Sequence, residues 1–230
     1  MNQLIECVPN FSEGQNIEII NQIADAIKSV EGIKLINIDP GKATNRTVFT
    51  FLGEPEKVCE AAFRAVKKAS EVIDMRKHKG EHPRFGSTDV LPLIPIAGIS
   101  MEETIEYALQ LAKRIGNEPG IPIYYYEFAT SEEKRRNLAS CRAGEYEGLP
   151  QKLANPEWKP DFGPAEFNQT VARTGAIALS ARNFLIAYNV NLNTTSAQLA
   201  NVIASEVREK GTIKHDGDPL TGKPMKDNHG

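Results

Sequence analysis

Residues 73–84 read IDMRKHKGEHPR and place two of the chain's four histidines, His78 and His82, among Arg76, Lys77, Lys79 and Arg84, with Glu81 beside His82. Pro83 stops a helix from running through, and Gly80 weakens one before it. Titratable groups gathered on a punctuated loop suit catalysis better than the same groups on a solvated helix face. Two chemistries compete. His78-Lys79-Gly80-Glu81-His82 matches H-x-x-E-H, a spacing some zinc peptidases use when both histidines share one helical face. Gly80 costs such a helix about 1 kcal/mol relative to Ala. Pro83 also biases His82 away from helical angles, and no third ligand follows at helical spacing. The rival is metal-free acid–base catalysis, worth about 10²–10⁴ in rate from one positioned group. Histidine fits it because its unperturbed pKa lies closest to neutrality. His82, flanked by Glu81 and Arg84 and held by Pro83, is the better of the two, although a loop histidine is more often a surface residue than a catalyst.

Around that loop the chain alternates short apolar runs with amphipathic stretches. Residues 4–8 read as a strand, followed by a Ser12-x-x-Gln15 capping box. A helix then carries Ile17, Ile20, Ala24 and Ile27 on one face and ends at Gly32. Strands follow at 33–38 and 47–52, with Asp39-Pro40-Gly41 as a turn between them. Pro55 opens a helix that buries Val58, Ala62, Val66, Ala69 and Ile73. Residues 90–96, VLPLIPI, form a strand whose Pro92 and Pro95 each remove a ladder donor, which predicts an edge or irregular position. The order strand, helix, strand, strand, helix, strand is the ferredoxin-like split βαβ order, an α+β class with helices on one face of a mainly antiparallel sheet. A doubly wound parallel sheet is the runner-up, and the direct strand-to-strand step from Ile38 to Thr47 speaks against it.

Further on, Ser100-x-x-Glu103 caps a helix with Ile105, Ala108, Leu109, Ala112 and Ile115 inward. Residues 122–126 form a strand. Thr130-x-x-Glu133 caps a helix with Arg135, Arg136 and Arg142 on its charged side. The Pro-rich stretch 148–164 packs Trp158 and Phe162 on the core or forms part of a ligand site. Strands are expected at 176–180 and 184–190, then a helix capped by Thr195-x-x-Gln198 with Leu199, Val202, Ile203 and Val207 inward. The composition of 209–230 is too polar to offset its ordering entropy, so a mobile tail is expected. The expected division is 1–180, an incomplete second unit at 181–208, and that tail.

Of 230 residues, 40% are hydrophobic and 25% charged, which places the chain among globular domains. A net charge of −3 without a long basic tract argues against a nucleic-acid partner. The three cysteines, Cys7, Cys59 and Cys141, suggest a reducing compartment and neither a disulfide framework nor a CxxC metal site. No signal peptide is evident and no apolar run approaches the roughly 20 residues of a membrane span, so the expectation is a cytoplasmic protein with no membrane partner.

Several stretches together resemble glutamate formiminotransferase. They are ECVPNFSEG (6–14), DPG-x-x-TNRTVFTFLG (39–53), IDM-x-x-HKGEHPR-x-G (73–86), RAGEYEGLP (142–150), PDFGP (160–164) and ARNFLIAYNVNL (181–192). The resemblance implies two ferredoxin-like subdomains with a substrate cleft between them. It also implies transfer of a formimino group from N-formimino-L-glutamate to N5 of tetrahydrofolate, a co-substrate, in histidine degradation, with no metal. The family's catalytic histidine falls on His82. Its folate-contacting segment falls on residues 163–172, that is Gly163, Pro164, Ala165, Glu166, Phe167, Asn168, Gln169, Thr170, Val171 and Ala172. Arg84, Lys77, Lys79 and Arg46 are candidate anchors for substrate carboxylates. Asp39 could accept hydrogen bonds from an amidinium-like intermediate, or simply end its strand in an Asx turn. Asn45 is a weaker binding candidate. Family members continue beyond the equivalent of Arg208, so one competing reading is a non-catalytic, folate-binding remnant; the other, from the H-x-x-E-H pattern, is a zinc hydrolase. The expected assembly is a homodimer.

Overall fold

The computed structural model describes residues 3–186, 190, 192–207, 215–216 and 223–224. By contacts it divides into two units, Met1–Phe184 and Leu185–Gly230. In the first unit, β1 (Leu4–Cys7) and β2 (Asn10–Phe11) run along one line between β4 (Arg46–Gly53) and β5 (Thr88–Ala97), with β3 (Lys34–Gly41) outside β4. All these pairs are antiparallel. Strand β7 (Ile177–Ala181) then joins β5 and β6 (Ile123–Tyr125) in parallel. The result is a seven-stranded mixed sheet whose first half is the ferredoxin-like arrangement. The parallel extension is an addition the repeated strand–helix order did not reveal.

Helices α1 (Ile17–Lys28), α2 (Pro55–Val72) and α3 (Met101–Asn117) cover one face of this sheet. Alternation along each strand supplies their partners: Ile5 and Cys7, Phe49 and Phe51, Leu91 and Leu93, Ile177 and Leu179 all enter one core. The α3 start follows its sequence: Ser100 Oγ accepts from Glu103 N at 3.1 Å and Glu103 Oε2 accepts from Ser100 N at 2.8 Å. The inward stripe is corrected by one position, since Leu111 is buried and Leu109 is exposed. Helix α1 corrects the expected cap as well. Asn16 Oδ1 takes the amides of Glu18 and Ile19, whereas Ser12 is buried and donates to Gly86 O at 2.7 Å. Ile17 is exposed and Ile23 is buried in its place.

Strand β5 is irregular, as its prolines demand, but it is not at an edge. Pro92 faces the break between β1 and β2, where Val8 N donates to Pro92 O at 3.3 Å, so its missing amide falls where the ladder is already interrupted. Pro95 pairs with Ile5 beside a register shift. The helix expected after Thr130 is instead a 3-10 turn (Glu133–Arg135) and a short α4 (Leu138–Cys141), because Arg135 and Arg142 turn inward to Asp161 and Asp89. Helix α5 (Leu149–Ala154) and Trp158 pack on a second cluster with Phe85 and Tyr124, and Phe162 packs on the main core. Lys152 lies 4.1 Å from the Trp158 ring and donates to Cys141 O at 2.6 Å, with burial pushing its ammonium down to about 8. A short α6 (Gln169–Thr174) precedes β7.

In the second unit, α7 (Ala197–Val207) starts at Ser196, whose Oγ accepts from Leu199 N at 3.2 Å, and not at Thr195. Leu199, Ile203 and Val207 are exposed, which corrects their inward placement. Phe184, Leu185 and Ile186 are exposed and not in a strand, and residues 187–189 of that expected strand lie outside the described residues. Most of the expected tail, 209–230, also lies outside them; His215–Asp216 (β8) and Lys223–Pro224 (β9) pair antiparallel. Among the described residues no helix is long and apolar enough to cross a membrane.

Candidate functional site

The histidine loop is fastened to the turn between β3 and β4. Asn45 sits at φ 49°, a left-handed conformation that asparagine tolerates, and its side chain spans two loops. Its Oδ1 accepts from Gly14 N at 3.0 Å while its Nδ2 donates to Lys79 O at 2.8 Å. Glu81 N donates to Ala43 O at 3.3 Å. Gly80 is required at the crossing, since a Cβ there would lie 2.3 Å from Thr44 O. Residues 78–82 are therefore not helical, and the two histidines make separate contacts.

His78 is buried in the bracket. Its Nε2 lies 2.8 Å from Asn45 O, and Arg84 Nε donates to its Nδ1 at 3.4 Å. One neutral tautomer, with the proton on Nε2, satisfies both contacts. Arg84 is buried too, with Nη1 and Nη2 on Glu147 at 2.7 and 2.5 Å and Nη1 on Glu145 at 3.1 Å. Its guanidinium is thus already neutralised by two carboxylates, which raise its pKa.

His82 is half-buried and its ring lies against Arg46. Its Nδ1 is 2.7 Å from Pro83 O, a carbonyl that calls for a proton on Nδ1, whereas the Arg46 donor on the same nitrogen calls for its lone pair, so the two contacts ask for opposite tautomers. Arg46 Nη1 closes on Nδ1 and lies 3.3 Å from Nε2 and from Pro83 O. Burial pushes His82 below its ordinary 6.5; the bond to Pro83 O opposes this and the Arg46 charge adds to it. The net shift favours the neutral, base form of His82.

Behind this pair lies Asp89, fully buried, which the sequence reading missed. Asn10 pairs with Val90 but Phe11 pairs with Thr88, so Asp89 is an extra residue in β5. Such a bulge re-aims one side chain. Asp89 Oδ2 receives Arg46 Nη2 at 2.7 Å and Arg142 Nη1 at 2.8 Å, and Oδ1 accepts from Phe85 N at 2.8 Å. Arg46 Nη2 also donates to Asn10 Oδ1 at 2.9 Å. The visible signal was a charged residue, Asp89, leading directly into the apolar run VLPLIPI.

The remaining candidates fall elsewhere. Asp39 is exposed on the edge strand β3, opposite Val48, outside this network. In 163–172, Gly163 packs against Ile121 O at φ 82°, Asn168 caps α6, and Val171 is buried. Phe167 is exposed with its ring 6.3 Å from that of Tyr146, whose hydroxyl donates to Ala172 O. Thr170 and Gln169 line a cleft of about 340 Å³ with Arg76 and Arg173. Pro164, Ala165 and Glu166 lie on the approach to α6, with Glu166 exposed. A separate cleft of about 400 Å³ is lined by Glu13, Asn45, Lys77 and His78, but not by His82.

These features define a class: an α+β, ferredoxin-like unit with a histidine–arginine–carboxylate cluster at the end of its central strands. The model of the formiminotransferase domain, N-terminal subdomain, matches residues 4–182. The chain is 51% identical over 214 residues to a formimidoyltransferase-cyclodeaminase of Rattus norvegicus, covering 93% of this chain and 39% of that protein. It is 49% identical over 219 residues to one of Dictyostelium discoideum, covering 95% and 40%. To a glutamate formimidoyltransferase of Streptococcus pyogenes serotype M1 it is 44% identical over 211 residues, covering 92% and 70%. The chain belongs to the formiminotransferase family, and it spans about two fifths of the first of these relatives.

Proposed function

We propose that the chain acts as a glutamate formiminotransferase, moving the formimino group of N-formimino-L-glutamate to N5 of tetrahydrofolate, with L-glutamate and 5-formiminotetrahydrofolate as products. The observation that carries this reading is the neutral, half-buried His82 ring against Arg46. Attack of N5 on the amidine carbon requires a proton to leave N5, and departure of glutamate requires one at its nitrogen. His82 takes the first on a ring nitrogen and returns it to the second. Arg46 makes the intervening imidazolium a stronger acid, which favours the return. The 163–172 segment is the folate contact, and the exposed Phe167 ring offers a flat apolar surface to a pteridine. Asn45 supports the loop, and Arg84 positions it through His78. Histidine degradation is the process this reaction would serve.

A non-catalytic, folate-binding remnant is the second reading, favoured by the exposed Leu199, Ile203 and Val207 of α7. One assay separates them. The chain is incubated with formiminoglutamate and tetrahydrofolate, and the product is converted by acid to the absorbing methenyl form. The proposal expects turnover, lowered by about 10²–10⁴ in His82→Ala with an unchanged melt. Near-normal turnover in that variant would remove His82 from the mechanism, and folate binding without turnover in the wild type would favour the remnant.

A further inference from the structure

We infer that Arg142, with Arg46, is the receptor for a carboxylate of formiminoglutamate, an assignment that rests on the reading of the site just given. Asp89 is fully buried and a single oxygen, Oδ2, meets both Arg46 Nη2 and Arg142 Nη1. Among the groups that bear on Arg46, Asp89 is the one acid and Arg142 is a second cation. The cluster thus holds two positive charges against one negative, at 7% and 16% side-chain exposure for the arginines. Leaving a cation under-compensated where water is scarce is costly, and a bound anion removes that cost.

Arg84 makes the opposite case. One guanidinium there faces two carboxylates, Glu145 and Glu147, so it has no charge to offer a substrate. Lys77 and Lys79 are exposed. Hydrogen bonding points the same way as charge. Arg46 uses Nη1 on the His82 ring and Pro83 O, and Nη2 on Asp89 and Asn10. Arg142 uses only Nη1, on Asp89. Its Nε is buried without a partner, whereas Nη2 has no partner among the described residues and is not among the buried atoms. Arg142 Nη2 is thus a donor without a partner among the described residues, on a guanidinium that Asp89 holds beside Arg46, and its charge acts on the His82 ring. A carboxylate held there would set its formimino group beside the histidine. Tetrahydrofolate carries carboxylates too, so the chemistry alone names two sources, and the choice of formiminoglutamate follows from the small distance between its carboxylates and the reacting carbon.

The test measures turnover with each substrate varied in turn, and L-glutamate binding by calorimetry, for wild type, Arg142→Gln and Arg142→Lys. Arg142→Gln is expected to raise the KM for formiminoglutamate and the Kd for L-glutamate by about ten-fold or more, the scale of one charge-assisted hydrogen bond. The KM for tetrahydrofolate should stay put, and Arg142→Lys should recover part of the loss. If the Gln variant melts early, the Lys variant carries the same comparison. A rise confined to tetrahydrofolate would give the anchor to the folate tail and overturn the assignment. A fall in kcat at constant KM would leave Arg142 as a prop for Asp89, and unchanged glutamate binding would also refute the inference. Were the wild type to bind glutamate through Arg142 yet transfer nothing, the formiminotransferase reading would fail and the receptor would stand.

Discussion

The two faces of the central sheet are made from alternate residues of the same strands, yet they are built on opposite principles. On the helix-covered face, Leu91 and Leu93 of β5 join Ile5, Cys7, Phe49 and Phe51 under α1, α2 and α3 in a largely apolar core. On the other face, Val48, Thr50, Leu52, Glu6 and Val8 stay half-buried, Val90, Tyr124 and Ala178 enter two smaller apolar clusters, and at the strand ends a bulge sets Asp89 between two arginines. The first face gains from burial alone, about 25 cal/mol per Å² of apolar surface. The second keeps charges in a partly dry setting, which costs stability and gives a histidine held in its base form. The bulge at Asp89 thus breaks the two-residue period of β5 where the charged cluster is assembled.

That contrast can be attacked from both sides. Asp89→Ala removes the acid that Arg46 and Arg142 share and should cost about 3–5 kcal/mol in denaturant unfolding, together with most of the transfer activity. A loss well under 1 kcal/mol would mean that the two cations are stabilised by something else. Leu91→Ala, two residues further on and facing the helices, should cost about 2–5 kcal/mol while turnover per folded molecule stays within about two-fold. If it lowered turnover as much as Asp89→Ala does, the division between faces would not hold. Gly80→Ala should have a smaller effect, about 1–3 kcal/mol, because the new Cβ meets backbone at Thr44 and the loop must shift. Turnover should fall more than stability, and the reverse order would show that the bracket around His78 does not hold His82.

What could be read from the residues was what is local. The Ser100–Glu103 capping box, Pro55 in the first turn of α2, and the order of the first six elements depend on neighbours within a few positions. The Ser12-x-x-Gln15 pattern had the same form and failed, because Ser12 found a partner at Gly86, far along the chain. Arg135 and Arg142 looked like a solvated helix face because their partners, Asp161 and Asp89, are equally remote. The bulge at Asp89 was hidden for a further reason: a one-residue change of register leaves no mark in the composition of the strand that carries it. His82 was favoured over His78 from its neighbours Glu81, Pro83 and Arg84 and from the family resemblance, but its tie to Arg46 joins two loops whose approach only the folded chain defines.

In the proposed reaction His82 works as a neutral base, and burial holds its pKa below the ordinary 6.5. Both loop histidines are shifted in that direction by burial, so the unfolded chain takes up protons first as pH falls. Their contribution to stability is complete above 6.5 and is lost as pH drops through the lower folded values. The most direct measurement follows the His82 ring by NMR across that range, alongside kcat/KM for formimino transfer. The account predicts one midpoint below 6.5, shared by the ring titration and the acid limb of the rate. A ring that titrates at or above 6.5, or a rate that stays level while the ring takes up its proton, would contradict it.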